Sequence, residues 1–160
     1  MSYFSEYKSK LRTAEEAVKV VKSGDNVEYG LGISMPYLLD QALADRKEEL
    51  RDIQVRGMFS MRPLEILEKD PKAETFTYSV WQMSGLDRKY HDRGLCSYNA
   101  GVYRNVPVYY RRYLKVDVAM ISVSPMNAEG YFSLSYINSA QKAICEAAKI
   151  VIFEINENLK

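Results

Sequence analysis

A glycine-containing loop near the start of the sequence is the first feature that could bind a ligand. Gly30 and Gly32 follow a predicted strand, and Pro36 stands where proline favours the start of a helix. Glycines let a ligand approach the backbone, and the amides of Ser34 and its neighbours would face outward at a helix N-terminus, which favours anions. The loop lacks the third glycine of a dinucleotide fingerprint and the lysine and hydroxyl pair of a P-loop. Taken alone, it is better explained as a turn.

A second loop follows a predicted strand in the same way. Val116–Val123 is an apolar and β-branched run, which is typical of a strand buried on both faces of a parallel sheet. Ser124 and Pro125 end this strand, because proline has no N–H for the sheet's hydrogen bonds. Residues 127–130 are predicted to turn, and residues 131–134 to return as a short strand. Loops at the carboxyl ends of strands are where open α/β sheets bind ligands.

His91 is the only histidine of the chain. As a general base it would need an orienting partner, which Asp87 or Asp92 could supply. A single histidine among charged residues is more often solvated or a simple hydrogen-bond partner, and the pattern favours that interpretation. No serine stands in a G-x-S-x-G setting, so a serine hydrolase is not expected.

Strands and helices alternate along the chain, without an internal repeat. Strands are predicted for residues 26–29, 53–59, 75–80, 116–123 and 150–156. Helices are predicted for residues 2–11, 13–22, from 36 onward with Leu38, Leu39, Ala42 and Leu43 buried, 63–69 and 138–149. Residues 84–106 lose all periodicity and are predicted to form a long loop. The sequence therefore predicts an α/β domain with a mainly parallel sheet flanked by helices.

Several motifs, in order, resemble the acetyl-CoA hydrolase/CoA-transferase family (family I CoA-transferases). The segment VSPMNAEGYFS is similar to the family's VSPMD-x-x-GYFS, with Asn127 in place of the usual aspartate. SGDNVEYGLGISMPYLLDQAL resembles the family's opening strand, glycine loop and Pro-started helix, and WQMSGLDRKYHDRGLCSYN and NVPVYYRRYLKVDVA resemble its middle. The resemblance covers practically the whole chain. It points in particular to transferases that move CoA between butyryl- or 4-hydroxybutyryl-CoA and acetate.

The resemblance implies covalent catalysis by a glutamate, whose carboxylate attacks the acyl-CoA thioester and then carries CoA as a glutamyl thioester. Family members run to more than twice this length, and their nucleophile lies in the second half. The glutamates here, Glu28 among them, are interpreted as lying in helix caps, solvated faces or strand ends. Glu154 interrupts an apolar strand and is expected to reach the junction with the second half. Residues 1–160 are thus expected to form the N-terminal domain, without a catalytic residue.

The resemblance also implies where substrates bind. The expected contacts lie in the two loops, where the Gly32 and Ser34 amides would suit a carboxylate and Met35 and Met126 would flank a short acyl chain. The two loops are predicted to lie side by side at one edge of the sheet. The full set of expected substrate-binding residues is Gly32, Ser34, Met35, Pro36, Ser124, Met126 and His91.

The expected partners follow from the same resemblance. They are an acyl-CoA and a short-chain carboxylate, with coenzyme A as a substrate rather than a bound cofactor. A C-terminal half of the same enzyme and a homo-oligomer are also expected. Two other functions stay open at this point. One is a non-catalytic scaffold subunit that pairs with a second half, and the other is an acyl-CoA hydrolase that uses Glu154 or His91.

Composition excludes several classes of protein. The 22 basic residues nearly cancel the 21 acidic ones, so neither nucleic acid nor an anionic membrane is an expected partner. Cys96 and Cys145 have neither metal-ligand spacing nor a disulfide framework. The first ten residues lack the apolar core of a signal peptide, and a cytoplasmic location is expected. The 13 tyrosines fit either amphipathic packing or an interface. Arg104, Arg111 and Arg112 could meet CoA phosphates, but a solvated helix face explains them better.

Overall fold

The fold is built on one sheet of six parallel strands. The computed structural model describes residues 3–134 and 137–159. The strands are β1 (Asn26–Leu31), β2 (Ile53–Met58), β3 (Phe76–Val80), β4 (Cys96–Tyr98), β5 (Val116–Val123) and β6 (Ala148–Ile155). The helices are α1 (Tyr3–Lys10), α2 (Ala14–Ala17), α3 (Leu38–Ala44), α4 (Glu65–Glu68), α5 (Gly85–Asp92), α6 (Val106–Arg112) and α7 (Gln141–Ala147). The predicted first residue of the first helix, Ser2, lies outside the described residues.

The strand order is β4-β3-β2-β1-β5-β6. The chain therefore builds outward from β1 to β4, returns to the other side of β1 with β5, and continues outward to β6. Residues of α3, α4 and α5 pack in one core on one face of the sheet, and residues of α6 and α7 pack in a second core on the other. The predicted α/β class with a mainly parallel sheet is confirmed, and every strand pair described is parallel.

The central strand β5 matches its prediction at both ends. All eight of its residues are buried, as expected where helices cover both faces of a parallel sheet. β6 was also predicted to be buried, and that prediction is wrong. It is an edge strand, and Ile150 and Val151 are 41% and 37% exposed. An apolar run alone does not distinguish a central strand from an edge strand.

The predicted long loop at residues 84–106 is wrong, because it contains α5 and β4. Ser84 caps α5 by accepting hydrogen bonds from the Leu86 and Asp87 amides, and the Asp87 side chain accepts one from the Ser84 amide. Only Asp87 and Tyr90 of this helix are buried. A helix that buries so few residues has no apolar stripe from which its periodicity could be read.

Several smaller boundaries also differ from the prediction, and the helix predicted at residues 138–149 spans only Gln141–Ala147 because β6 begins at Ala148. The helix expected to start at Pro36 starts at Leu38, which is 54% exposed rather than buried. The segment after the 127–130 turn returns beside β5, where the Ser124 amide donates to the Ser133 carbonyl at 3.1 Å. Residues 131–134 nevertheless form no strand. Side chains accept two of the hydrogen bonds that hold this return, those from the Tyr131 and Ser133 amides, so the backbone bonds do not form a continuous ladder.

The cysteines, possible metal ligands and possible membrane spans were first considered from composition. Both cysteines are free thiols, and burial raises the pKa of Cys96 to about 12 and that of Cys145 to about 11. Among residues 3–134 and 137–159, no group of His, Cys, Asp and Glu side chains is arranged to hold a metal ion. In the same residues no helix has the length and apolar character needed to cross a bilayer.

A charged network lies under α6. Glu28 in β1 is fully buried, and its carboxylate accepts hydrogen bonds from Arg56 Nε of β2 and from the Tyr110 hydroxyl of α6, the latter at 2.7 Å. The Tyr110 hydroxyl in turn accepts one from Trp81 Nε1 at 2.9 Å. Glu28 was interpreted as an exposed or strand-end residue, and that interpretation is wrong. Burial raises the pKa of Glu28 to about 7, against the opposing effect of Arg56.

This network predicts that the protein loses stability as the pH rises from about 4.5 to about 7. Folded Glu28 keeps its proton up to about pH 7, whereas in the unfolded chain it releases the proton near the ordinary glutamate pKa of 4.5. The folded state therefore binds more protons in this window, and its free energy of unfolding falls with rising pH. We expect Glu28→Gln to reduce this fall by about 1–3 kcal/mol.

Urea unfolding at about pH 5 and about pH 7.5 measures this pH dependence. Some of it should remain in the variant, because burial also raises the pKa of Asp40, to about 6. The matched control is Glu157→Gln, since Glu157 is exposed near the end of the chain. If Glu28→Gln and Glu157→Gln show the same pH dependence, Glu28 is not the titrating group.

Candidate functional site

The strand order creates a crevice between β1 and β5. These strands are parallel neighbours, with Val27 opposite Val118 and Tyr29 opposite Met120. The chain leaves β1 toward one side of the sheet and leaves β5 toward the other, so the two following loops diverge above their carboxyl ends. Open α/β sheets bind ligands at such a switch point. The two loops singled out from the sequence, 30–36 and 124–130, are the loops that emerge there.

The glycines of the first loop are required by close packing of the chain. A Cβ added to Gly30 would lie 2.3 Å from the carbonyl oxygen of Ser34, which no side chain can tolerate. Gly32 has a φ of +56°, and a Cβ there would lie 3.2 Å from Cδ1 of Ile137. Both glycines thus allow the loop to fold tightly at the end of β1, where residues 32–34 form one turn of 3₁₀ helix.

Most of the expected contacts in this loop are covered by the protein itself. Gly32, Ser34, Met35 and Pro36 are all buried. The Ser34 hydroxyl donates to the carbonyl of Ile137 at 3.4 Å, which ties the loop to the segment before α7. These residues shape the crevice from beneath. Tyr37 and Leu38, which follow them in the chain, are exposed.

The amides at the start of α3 already bind an anion, and it belongs to this chain. The two carboxylate oxygens of Glu154 in β6 accept hydrogen bonds from the Tyr37 and Leu39 amides, each at 2.9 Å. Amides at a helix start are without partners inside the helix, so a carboxylate placed there is favourable. Glu154 therefore fixes the end of the first loop. Its sequence signal was the single acidic residue in an apolar strand, but the amides it binds were not predictable.

The second loop is held by side-chain hydrogen bonds. The Ser124 hydroxyl accepts from the Ser133 amide at 3.0 Å. Asn127 Oδ1 accepts from the amides of Glu129 at 3.0 Å and Tyr131 at 2.8 Å, and these bonds close the predicted turn. The turn uses only the acceptor oxygen of Asn127, which an aspartate would also provide. Met126 between them is half-buried and faces a groove beside Glu154.

His91 is not brought to this crevice. It lies in the last turn of α5, which packs against β4 at the opposite edge of the sheet from β6. Its side chain is 55% exposed, and Nδ1 lies 3.9 Å from an oxygen of Asp92. The arginines of α6 are also exposed, and Arg111 pairs with Glu146 at 2.8 Å. These contacts fit the solvated face favoured by the sequence.

Gln141 is a polar residue of the crevice that the sequence did not single out. It lies fully buried at the start of α7, and its Nε2 donates to the Ile137 carbonyl at 2.7 Å. Its Oε1 has no partner among the described residues. It lines a small cavity with Gly30 of β1, Gly57 of β2 and the aromatic rings of Trp81 and Tyr110. A buried acceptor thus lies directly below the carboxyl ends of β1 and β2.

These features define a doubly wound parallel α/β domain with its candidate site at a switch point. The family described as the acetyl-CoA hydrolase/transferase N-terminal domain matches residues 1–159. The chain belongs to this family, and the resemblance of its motifs is confirmed.

The curated relatives that the chain matches include two CoA-transferases. The chain is 48% identical over 160 residues to butyryl-CoA:acetate CoA-transferase of Anaerostipes caccae, a match that covers 99% of this chain and 36% of that protein. It is 38% identical over 154 residues to the probable butyrate:acetyl-CoA coenzyme A-transferase of Syntrophomonas wolfei, covering 96% of this chain and 34% of that protein. The chain thus spans about a third of the length of these relatives.

Solved structures share the fold. RipA from Yersinia pestis matches with a TM-score of 0.86 and 25% identity over 99% of this chain and 39% of its own. The 4-hydroxybutyrate CoA-transferase of Porphyromonas gingivalis matches with a TM-score of 0.69 and 24% identity, covering 99% of this chain and 36% of its own. In both cases a domain of this shape is one part of a larger protein.

The Glu154 hydrogen bonds predict that this side chain holds the first loop in place. We expect Glu154→Ala to lower the free energy of unfolding by about 1–3 kcal/mol, because two amides lose a charged acceptor. We also expect the Leu39 amide to exchange its hydrogen at least tenfold faster. The control is Glu157→Ala, which removes an exposed carboxylate three residues away. Equal Leu39 exchange rates in the two variants would contradict the assignment.

Proposed function

We propose that this chain is the N-terminal domain of a CoA-transferase that moves CoA between a short-chain acyl-CoA and acetate. The observation that carries the proposal is the 48% identity to a butyryl-CoA:acetate CoA-transferase along the entire chain. The 30% identity to a 4-hydroxybutyrate coenzyme A transferase of Clostridium kluyveri agrees with a short acyl group. The substrates proposed are therefore butyryl- or 4-hydroxybutyryl-CoA and acetate, with coenzyme A as the group transferred.

In the proposed mechanism a glutamate of a C-terminal portion attacks the thioester carbonyl, which forms an acyl-glutamyl anhydride and releases the CoA thiolate. The thiolate then attacks the glutamyl carbonyl, which releases the first acid as its carboxylate and leaves a glutamyl-CoA thioester. The incoming acid takes the CoA by the same two steps in reverse. This chain would supply one wall of the cleft. Two of its glutamates are already engaged, because Glu154 binds backbone amides and Glu28 is paired below α6. Their contacts support a nucleophile that lies outside these 160 residues.

The wall proposed consists of the two loops at the switch point. Gly32, Ser34, Met35 and Pro36 would set the shape of the first loop and its backbone amides, while Ser124 would fix the second. Met126, which is only half-buried, would contact the acyl chain directly. The location of both loops above adjacent strand ends supports this assignment. His91 lies outside the wall, and we assign it no part in the transfer.

The first prediction from this proposal is that the 160-residue chain alone has no transferase activity. It is mixed with acetyl-CoA and butyrate, and butyryl-CoA is followed by mass. We expect no product above a blank without protein, because no nucleophile is in place. Product formation that disappears in Glu154→Gln would show a catalytic glutamate in this chain and refute the proposal. Release of free CoA with the same dependence would instead identify a hydrolase.

The second prediction concerns the complete enzyme, obtained by placing this chain in the position of the matching segment of the Anaerostipes caccae protein. We expect Met126→Trp to raise the KM for the carboxylic acid at least fivefold more than the KM for acyl-CoA, because the larger ring would occupy the space proposed for the acyl chain. Met126 is preferred to Ser34 for this test, since Ser34 is fully buried and a large residue there would disturb the fold.

The matched control is Lys72→Trp. Lys72 has a side chain that is 79% exposed, and it precedes β3 at the opposite end of the strands. We expect this variant to leave both KM values unchanged. If Met126→Trp and Lys72→Trp change the KM for the acid and the KM for acyl-CoA to the same extent, Met126 does not line the acyl site.

A further inference from the structure

A further loop borders the candidate crevice, at the carboxyl end of β2. This β2 loop, residues 59–64, connects β2 to α4, and β2 lies beside β1 with Met58 opposite Leu31. It packs against the first loop, because a Cβ added to Gly32 would lie 3.6 Å from Sδ of Met61. The two loops are therefore neighbours at the same edge of the sheet.

Buried side chains hold both ends of the β2 loop. At its start, Oδ2 of the fully buried Asp87 accepts a hydrogen bond from the Ser60 amide at 2.9 Å. At its end, the Tyr90 hydroxyl accepts one from the Leu64 amide at 3.1 Å. Such buried bonds are costly to break, because the amide would be left without a partner. The backbone between these anchors is therefore fixed, and Pro63 restricts it further.

Arg62 is the one charged residue of the β2 loop. Its side chain is exposed, and its guanidinium carbon lies 4.6 Å from the centre of the Tyr37 ring. Tyr37 follows the first loop directly in the chain and is itself 39% exposed. A guanidinium over an aromatic ring is attracted to the face of that ring. Tyr37 thus holds the positive charge at the rim of the crevice.

This guanidinium is available to a ligand. In the described part of the chain, no carboxylate forms an ion pair with Arg62. Arg93, by contrast, lies 3.6 Å from the carboxylate of Glu68. The carboxylate of Glu154 binds the Tyr37 amide and a second amide instead. A guanidinium presents a planar fork of N–H donors, which matches the oxygens of a phosphate or a carboxylate.

We propose that Arg62 binds a phosphate group of coenzyme A. The inference rests on the proposed function, in which a CoA thioester and a carboxylic acid are the two anionic substrates. The acid reacts and has to enter the part of the cleft from which water is excluded, whereas the phosphates take no part in the chemistry and can bind at a solvated rim. The exposure of Arg62 therefore favours phosphate over carboxylate.

Equilibrium binding of CoA tests the proposal without any need for catalysis. The protein is the chimera in which this chain replaces the matching segment of the Anaerostipes caccae enzyme. We expect Arg62→Met to raise the Kd for CoA about tenfold or more, because charge-assisted hydrogen bonds are lost while the apolar stem still covers Tyr37. Arg62→Lys keeps the charge but not the fork, and it should raise the Kd less.

The matched control is Arg93→Met. Arg93 also lies over a tyrosine ring, 5.6 Å from the centre of that of Tyr90, and its side chain is 47% exposed. It lies between the end of α5 and the start of β4, and therefore near the amino ends of the strands, away from the crevice. We expect this variant to leave the Kd for CoA unchanged. Equal increases in Arg93→Met and Arg62→Met would overturn the proposal.

Shortened ligands identify which phosphate is bound. Dephospho-CoA lacks the 3′-phosphate, and pantetheine lacks all the phosphates. If Arg62 binds the 3′-phosphate, Arg62→Met should weaken the binding of CoA but not that of dephospho-CoA. If it binds the pyrophosphate, the binding of both should weaken. A loss of affinity that persists with pantetheine would overturn the proposal.

Activity measurements on the same variants separate this proposal from the proposed function. A chimera that transfers CoA, but whose Kd for CoA is the same in Arg62→Met, would overturn the phosphate site and leave the function in place. A higher KM for the acid with an unchanged Kd for CoA would identify a carboxylate as the anion and would also overturn it. A chimera that binds CoA through Arg62 but transfers none would contradict the proposed function and leave the phosphate site in place.

Discussion

The pairing of β1 with β5 is the contact on which the rest of this domain depends. It joins residues about 90 positions apart in the chain and brings the two ends of the fold together, with Val27 beside Val118. Because the connections run in opposite directions from this pair, both candidate loops emerge at one point. If β5 paired at the outer edge beside β4 instead, the same local elements would form a sheet without this crevice.

The buried charges of this domain tie its central elements together. Glu28 joins β1 to β2 through Arg56 and to α6 through Tyr110, and Arg56 also donates to the Lys115 carbonyl just before β5 at 2.6 Å. Burying such a pair costs desolvation free energy that its attraction does not always offset. Its directional hydrogen bonds connect two strands and a helix, and they form only when these three elements lie together.

The sequence predicted a strand and its burial correctly where both faces of that strand are covered. β5 is covered on both faces, so its apolar run contained the necessary information. α5 was missed because two buried residues, Asp87 and Tyr90, produce no helical periodicity. The family followed from motifs that extend along the whole chain, and the positions of both loops followed from the predicted parallel strands that precede them. The loop residues themselves proved to be mostly buried, which their types did not reveal.

Glu154 shows why the site could be predicted only in part. Its partners, the Tyr37 and Leu39 amides, lie more than 100 residues earlier in the chain, and backbone amides leave no mark on a sequence. The sequence predicted that the Gly32 and Ser34 amides would suit a substrate carboxylate, whereas the amides that bind Glu154 are those of Tyr37 and Leu39. A carboxylate held by two amides on an edge strand makes the geometry of one loop depend on the state of that edge. The first loop is therefore linked directly to the edge strand β6 through one side chain.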